Sequence, residues 1–539
     1  MDRGDRPGCR PAVPSADCRV IRMKILYVVR DMSFIEPLGV MFLSAIGKQQ
    51  GHESALLILN EEDAMTRIKR ERPDMICMSV MSVDADVFER LCRRIKDRFP
   101  DLFLCVGGPH VTFECDAVRR WAVDAVVQGE GDLAFRDLLR AVDAGRSVED
   151  IPNVHTRARR NPMRRLIEPL DQLPHPDREL VYFPGGHLRD LNVKSFMTSR
   201  GCAYRCTYCF NSKYNEMYSK NGRPVRRFSV DYMIEEIARV RTDYGCDFVR
   251  LGDDVFAYRV DDWLLEFAEK YRRRIGLPFY CLIRPNLLKP DLVRVLKEAG
   301  CHSISMSIEA GSRRLRREVL LRDMTDEVIF DAVRHVHEAG IHIYANAMLG
   351  LPHTTIEDDI ETVAFTARCK VAYPSFTVFT PFKGTTLGEK CFRDGLIDGD
   401  YPEHTTDRSI LNCFTEREKD AQMNLVHLGI WACKFPFLQN AIFRRLIYMK
   451  PNPVFFFLWY LMKNYVSARY IWPIRAGIGK KLRLAVRALR FELAGRLNLR
   501  SLLGLDPPKK RVRPPRVIAD QRPDHLRPSP LFQEEMLPA

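Results

Sequence analysis

Twice along this chain, short apolar runs alternate with stretches of helical length, and no other feature restricts the fold as strongly. In the first round the apolar runs fall at 23–29, 54–59, 74–81, 102–107 and 125–128, interspersed with helical stretches at 38–50, 61–71, 85–99 and 132–144. The second round has apolar runs at 193–197, 247–251, 279–283, 303–308, 341–348 and 375–380. Helical stretches at 230–244, 261–274, 291–299, 325–339 and 356–370 lie between them. Near-continuous apolar strands joined through helices predict parallel sheets covered on both faces. The fold class is therefore α/β, with a doubly wound parallel sheet first and six strand–helix units second. In both arrangements, ligands bind beyond the carboxyl ends of the strands.

Those strand ends are where the polar and glycine-rich groups collect. The first round carries Pro37-Leu38-Gly39, the stretch from Ser79 to Ser82, Gly107-Gly108-Pro109-His110 and Gly129-Glu130-Gly131. Glycine lets a backbone approach a bulky ligand closely. In the second round, the first strand runs into a loop holding Cys202, Cys206 and Cys209 in a C-x3-C-x2-C array. Such a loop can wrap its thiolates around one metal centre, and soft thiolates suit zinc or an iron–sulfur cluster. A zinc knuckle needs a fourth Cys or His close by, and none follows. A four-iron cluster normally takes four cysteines, so three leave one iron open to a small ligand. Later strand ends carry Asp253-Asp254, Arg284, Glu309 and Leu349-Gly350-Leu351-Pro352.

The cysteine spacing, with Tyr208 just before the last cysteine, closely resembles the signature of the radical S-adenosylmethionine (SAM) enzymes. The resemblance implies that Cys202, Cys206 and Cys209 hold a [4Fe-4S] cluster. The open iron then chelates SAM, and reduction cleaves it to a 5′-deoxyadenosyl radical. It also implies that the six strand–helix units form the family's partial, TIM-like (β/α)6 barrel. Tyr208 would lie near the adenine. Glu309 would accept hydrogen bonds from the two ribose hydroxyls, which its two oxygens suit; the plainer role is a salt bridge to a nearby arginine. Asp253 and Asp254 would sit near the SAM ammonium, or would cap the helix that follows. Arg284 and Arg322 are candidates for the SAM carboxylate, where a guanidinium fork fits two oxygens. Gly350 would let its turn pack on adenine, or would mark an ordinary Gly-Pro turn. The family form continues with Gly-Glu-Thr, where this chain has His353-Thr354-Thr355.

The first round resembles the cobalamin-binding domain found ahead of many radical SAM cores. Pro37, Leu38, Gly39, Gly107, Gly108, His110, Gly129, Glu130 and Gly131 carry the likeness, with Ser79 and Ser82 at the neighbouring strand end. There is no Asp-x-His-x-x-Gly after the first strand; Arg30-Asp31-Met32-Ser33-Phe34 stands there instead. The resemblance therefore implies cobalamin bound base-off, with no protein histidine on cobalt. The alternative is a domain that keeps the fold and has lost the ligand.

Together these features imply a cobalamin-dependent radical SAM enzyme, a methyltransferase acting on an unactivated carbon, or on phosphorus, of a small-molecule or lipid substrate. An electron donor such as flavodoxin or ferredoxin is implied as partner, and no side chain is singled out as catalytic. One alternative is a non-methylating cyclase or oxidoreductase of the same kind. Another is an RNA-modifying enzyme, suggested by the net charge of +14. That class needs a further cysteine trio ahead of the core, and Cys77, Cys92, Cys105 and Cys115 lack the matching loops. No specific nucleic-acid partner is expected.

The expected organisation is an extension over 1–22, a cobalamin-binding domain over 23–145, a surface linker over 146–192, the radical SAM core over 193–385, a helical region over 386–505 and a tail over 506–539. No leader is visible in the polar start, so a cytoplasmic protein is expected. Residues 434–474 interleave aromatic and basic side chains. They predict a helical cap on the barrel, or a surface that dips into lipid with Trp459 and Tyr460 at headgroup depth. The second reading adds peripheral membrane contact to the expected partners.

Overall fold

The computed structural model describes residues 22–32, 35–398 and 408–473, and beyond these 477, 479, 483–487 and 489. The expected end segments, apart from Arg22, lie outside the described residues, as do Ser33 and Phe34.

The first apolar runs become β1 (Lys24–Val29), β2 (Glu53–Ile58), β3 (Met75–Ser79), β4 (Phe103–Gly107) and β5 (Ala125–Val127). They lie parallel in the order β2-β1-β3-β4-β5. From β1 the chain steps outward to β2, then returns to the other side at β3. That reversal is the switch point at which doubly wound sheets open a crevice. Both faces are covered. Ile25, Tyr27 and Val29 point into one core, Leu26 and Val28 into another.

The second round forms β7 (Val193–Phe196), β10 (Phe248–Leu251), β11 (Phe279–Leu282), β12 (Cys301–Glu309), β13 (His342–Leu349) and β14 (Tyr373–Val378). All pair in parallel in the order β14-β13-β12-β11-β10-β7, an open barrel of six strands. Along β13 burial alternates strictly. Ile343 and Ala345 pack in the main core, and Ala347 and Leu349 pack under a C-terminal helix. Tyr344, Asn346 and Met348 on the other face stay half-buried and face the barrel interior.

The segment expected as a surface linker is folded into the molecule. Val154–His155 adds β6 antiparallel to β5, so the first sheet runs past residue 145. Leu170, Val181, Tyr182 and Leu188 are buried in the main core. Arg178 is 1% exposed. Its Nε donates to Glu236 Oε1 at 2.8 Å and its Nη1 to the carbonyl of Ser195 at 3.0 Å. The apolar residues here follow neither a period of two nor one of 3.6, so no strand or helix pattern announced them.

The C-terminal region decides between its two readings residue by residue. Helix Glu416–Lys434 packs on β14 and on helix Ile356–Arg368. Helix Pro453–Val466 and the turn after it close the barrel at the strands' amino ends. Ser303 Oγ donates to the carbonyl of Ile471 at 2.8 Å, and Trp472 meets Tyr280 and Tyr344 edge-on. Trp459 and Tyr460 are buried in that plug, which corrects their expected place at headgroup depth. No helix among the described residues is long and apolar enough to cross a membrane.

Candidate active site

A cavity of about 440 Å³ lies between the carboxyl ends of the two sheets. Leu38, Gly39, Ser79, Gly107, Gly108, Gly129, Glu130 and Gly131 line it from the first sheet. Met197, Ser199, Arg200, Gly201, Phe210, Asn211, Tyr214, Gly252 and Asp254 line it from the barrel side. The expected strand-end groups of the first sheet therefore converge with Asp254 of the barrel, whereas Cys202, Cys206, Cys209, Tyr208, Asp253, Arg284, Glu309, Arg322 and Gly350 do not line this cavity. Pro37, Ser82 and His110 are not among the lining residues. His110 instead stacks on Trp121, with centroids 5.6 Å apart, and burial lowers its pKa.

Ion pairs that no sequence pattern announces clamp the two halves together around the cavity. Arg200 donates to Asp132 through Nη1 at 2.7 Å and through Nη2 at 3.1 Å. Arg226 reaches Glu130 through Nη2 at 2.7 Å and Nη1 at 3.0 Å. Glu130, expected to contact a cofactor, is thus engaged by an arginine fork and by the backbone N–H of Ile167 at 3.1 Å. Arg226 and Arg200 come from a two-residue strand pair, β8 (Ser199–Arg200) with β9 (Arg226–Arg227), too short to show a period. Gly129, at φ +73°, is needed for the closure, because a Cβ there would fall 2.1 Å from Tyr218 Oη.

The cysteine loop follows β8. Gly201, at φ +86°, brings the backbone so close to Pro224 that a Cβ would lie 2.1 Å from its carbonyl oxygen. Cys206 turns inward, 7% exposed, and Arg284 Nη1 approaches its sulfur at 3.6 Å. Cys202 and Cys209 are half-buried; burial raises the Cys202 thiol and pushes Cys209 up to about 12. The Asp254 carboxylate adds to that rise at Cys209. The three sulfurs thus share one loop and one electrostatic neighbourhood. They are not drawn onto a common centre, and the described residues contain no closed group of three metal-ligating side chains. Three soft donors beside an inward-pointing guanidinium form a donor set that suits a cluster better than a hard cation.

Around the loop, buried polar atoms stand without partners. They include Arg284 Nε, Arg322 Nε and Asp253 Oδ2. Arg284 lies with its guanidinium 3.9 Å from the ring centroid of Tyr204, and burial lowers its pKa. Glu309 sits at a bulge ending β12, with φ +68°, a left-handed backbone that costs a non-glycine residue roughly 1–3 kcal/mol. Its Oε1 accepts from Tyr208 Oη at 2.6 Å and lies 4.0 Å from Arg322 Nη1. Arg322 also donates to the carbonyl of Ser307 at 2.7 Å. Tyr208, Glu309 and Arg322 therefore form one group, in which the approach of Arg322 matches the salt-bridge reading of Glu309.

The aspartate pair divides. Asp253 is wholly buried, and its Oδ1 accepts from the N–H and hydroxyl of both Thr198 and Ser199, at 2.5–3.0 Å. It braces the end of β7, and burial pushes its pKa up to about 6. Asp254 is the member that lines the cavity. The helix that follows is capped by Asp261, not by either of them. Gly350, at φ +67°, donates its N–H to Asp359 Oδ1 at 2.8 Å, and Gln422 Nε2 donates to Asp359 Oδ2 at 3.1 Å. The turn is thereby tied to the C-terminal helical region.

Comparison with known proteins matches the two halves separately. A B12 binding domain model matches residues 26–139, and a radical SAM superfamily model matches residues 196–366. An uncharacterized methyltransferase of Pyrococcus horikoshii is 28% identical over 377 residues, which span 67% of this chain and 79% of that one. The cytidylyl-2-hydroxyethylphosphonate methyltransferase of Streptomyces wedmorensis is 22% identical over 430 residues, spanning 67% and 79%. The structure of the radical SAM methyltransferase TsrM from Kitasatospora setae, with cobalamin and a [4Fe-4S] cluster bound, shares the fold. Its TM-score is 0.61 at 16% identity, over 87% of this chain and 100% of that one. The two matched domains, the switch-point crevice and the cysteine loop that faces it place this chain in the family of radical SAM enzymes that carry an amino-terminal cobalamin-binding domain.

Proposed function

We propose that this chain transfers a methyl group to an unactivated carbon, or to phosphorus, of a small-molecule or lipid substrate. The observation that carries the reading is the shared cavity, walled by the strand-end glycines of the first sheet and by the residues around the cysteine loop. When bound, the cluster with SAM supplies one-electron hydrogen removal and cobalamin supplies the transferable methyl group.

The chain's own residues bind, orient and exclude water. Leu38, Phe42, Phe113 and Phe210 give the cavity apolar walls that keep solvent from reactive species. Cys202, Cys206 and Cys209 serve as cluster ligands. The unpartnered Nε atoms of Arg284 and Arg322 suit the SAM carboxylate, Asp254 its ammonium and Glu309 its ribose hydroxyls. Tyr208 fixes Glu309 in its strained conformation. Cobalamin would bind base-off without a protein ligand, a reading that rests on the missing Asp-x-His-x-x-Gly after the first strand. Electron paramagnetic resonance of the cob(II)alamin form should then show no nitrogen splitting from below the ring. The name of the Streptomyces wedmorensis relative supports a polar phosphonate-type substrate as one member of the class. A cytoplasmic flavodoxin or ferredoxin would deliver the electrons.

The test is anaerobic reconstitution with iron, sulfide, cobalamin, SAM and a reductant, followed by mass spectrometry. Methylation releases both S-adenosylhomocysteine and 5′-deoxyadenosine. Release of 5′-deoxyadenosine alone, with a substrate consumed, would replace methylation with a cyclase or oxidoreductase.

A further inference from the structure

Residues 421–491 contain no aspartate or glutamate and carry twelve lysines and arginines, almost the whole net charge of +14. Within this stretch, helix Pro453–Val466 has two unlike faces. Phe455, Trp459, Tyr460 and Val466 are buried against the barrel and its covering helix. The opposite face shows Val454 at 62%, Phe457 at 54%, Leu461 at 49% and Tyr465 at 59% exposure. Their spacing of three, four and four residues makes one continuous stripe along the helix. Exposed Lys450 precedes the stripe and exposed Arg469 follows it one turn after Tyr465.

We infer that this face is a docking surface for an anionic lipid bilayer. An exposed apolar stripe alone does not name its cover, but the charge does. A second copy of this chain would set like charge against like. A nucleic acid would leave aliphatic Val454 and Leu461 unused. An anionic bilayer satisfies both features: the stripe enters the acyl boundary and the flanking cations meet headgroups. The helix has 14 residues, so it lies in the interface and does not span it. The inference does not depend on the reaction proposed above.

The full-length protein should co-sediment with vesicles of phosphatidylcholine containing about a quarter phosphatidylglycerol, and much less with phosphatidylcholine alone or at high salt. Phe457→Ser with Leu461→Ser should weaken binding about tenfold or more. Lys450→Gln with Arg469→Gln, which changes no buried side chain, should weaken it about fivefold per cation. The charge pair decides the matter if the first variant fails to fold. Sedimentation unchanged in both variants, or no affinity of the parent protein for anionic vesicles, would overturn the inference. So would a dimer in light scattering that Phe457→Ser with Leu461→Ser turns into monomer, since a second copy would then be the cover.

Discussion

At the scale of single residues, the proposed cluster ligands Cys202, Cys206 and Cys209 bear the assignment, since a cluster held by three thiolates would need each of them. Cys202→Ala, Cys206→Ala or Cys209→Ala should each lower iron retained after reconstitution and reduce 5′-deoxyadenosine to background. A variant that keeps full SAM cleavage without one of them would remove the cluster from this loop. The place of the strand-end glycines on the cavity was legible because their chemistry is tied to short spacings. Arg200 and Arg226 were not. An arginine looks the same in sequence whether it faces water or bridges two domains, and their partners Asp132 and Glu130 lie at least 68 residues away. The local role of Asp253 was not legible either: a carboxylate beside a strand end can meet a ligand or backbone and hydroxyl donors, and here one oxygen takes four donors while Oδ2 stays unpartnered.

At the scale of elements, both rounds of alternation survive with ends displaced by one or two residues at most positions, because buried parallel strands are long apolar runs. The segment from 146 to 192 shows where that signal stops. Its buried side chains are held by tertiary contacts, of which Arg178 with Glu236 is the most enclosed. Arg178→Met would strand Glu236, which keeps only Arg239 and His175 near it. The loss should be roughly 3 kcal/mol of unfolding free energy, read from denaturant midpoints. A change below about 0.5 kcal/mol, as expected of a surface site, would restore the linker reading.

At the scale of the whole molecule, the two sheets work only if they stay docked. The pair of Asp132 with Arg200 has a pH signature. Burial opposes ionisation of Asp132, Arg200 outweighs it, and the carboxyl is held below its ordinary value. An acid with a lowered folded-state pKa adds stability above its unfolded value of about 4 and loses it as pH falls through the folded one. Asp132→Asn should therefore destabilise the protein near neutrality and flatten the loss of stability below about pH 4. A variant whose acid unfolding matches the parent's would show that the pair does not hold the halves together.

The account rests on one cavity serving both halves, and Gly39 offers the most direct entry to it. A Cβ at Gly39 meets nothing within 4 Å, and the residue lines the cavity on the first turn of helix Leu38–Gln49. A large side chain there fills the space without straining the fold. The measurement is cobalamin and iron retained by Gly39→Phe after anaerobic reconstitution, read side by side with the parent. The account predicts cobalamin uptake reduced about tenfold or more with iron unchanged. Equal cobalamin uptake in a folded Gly39→Phe protein would contradict it.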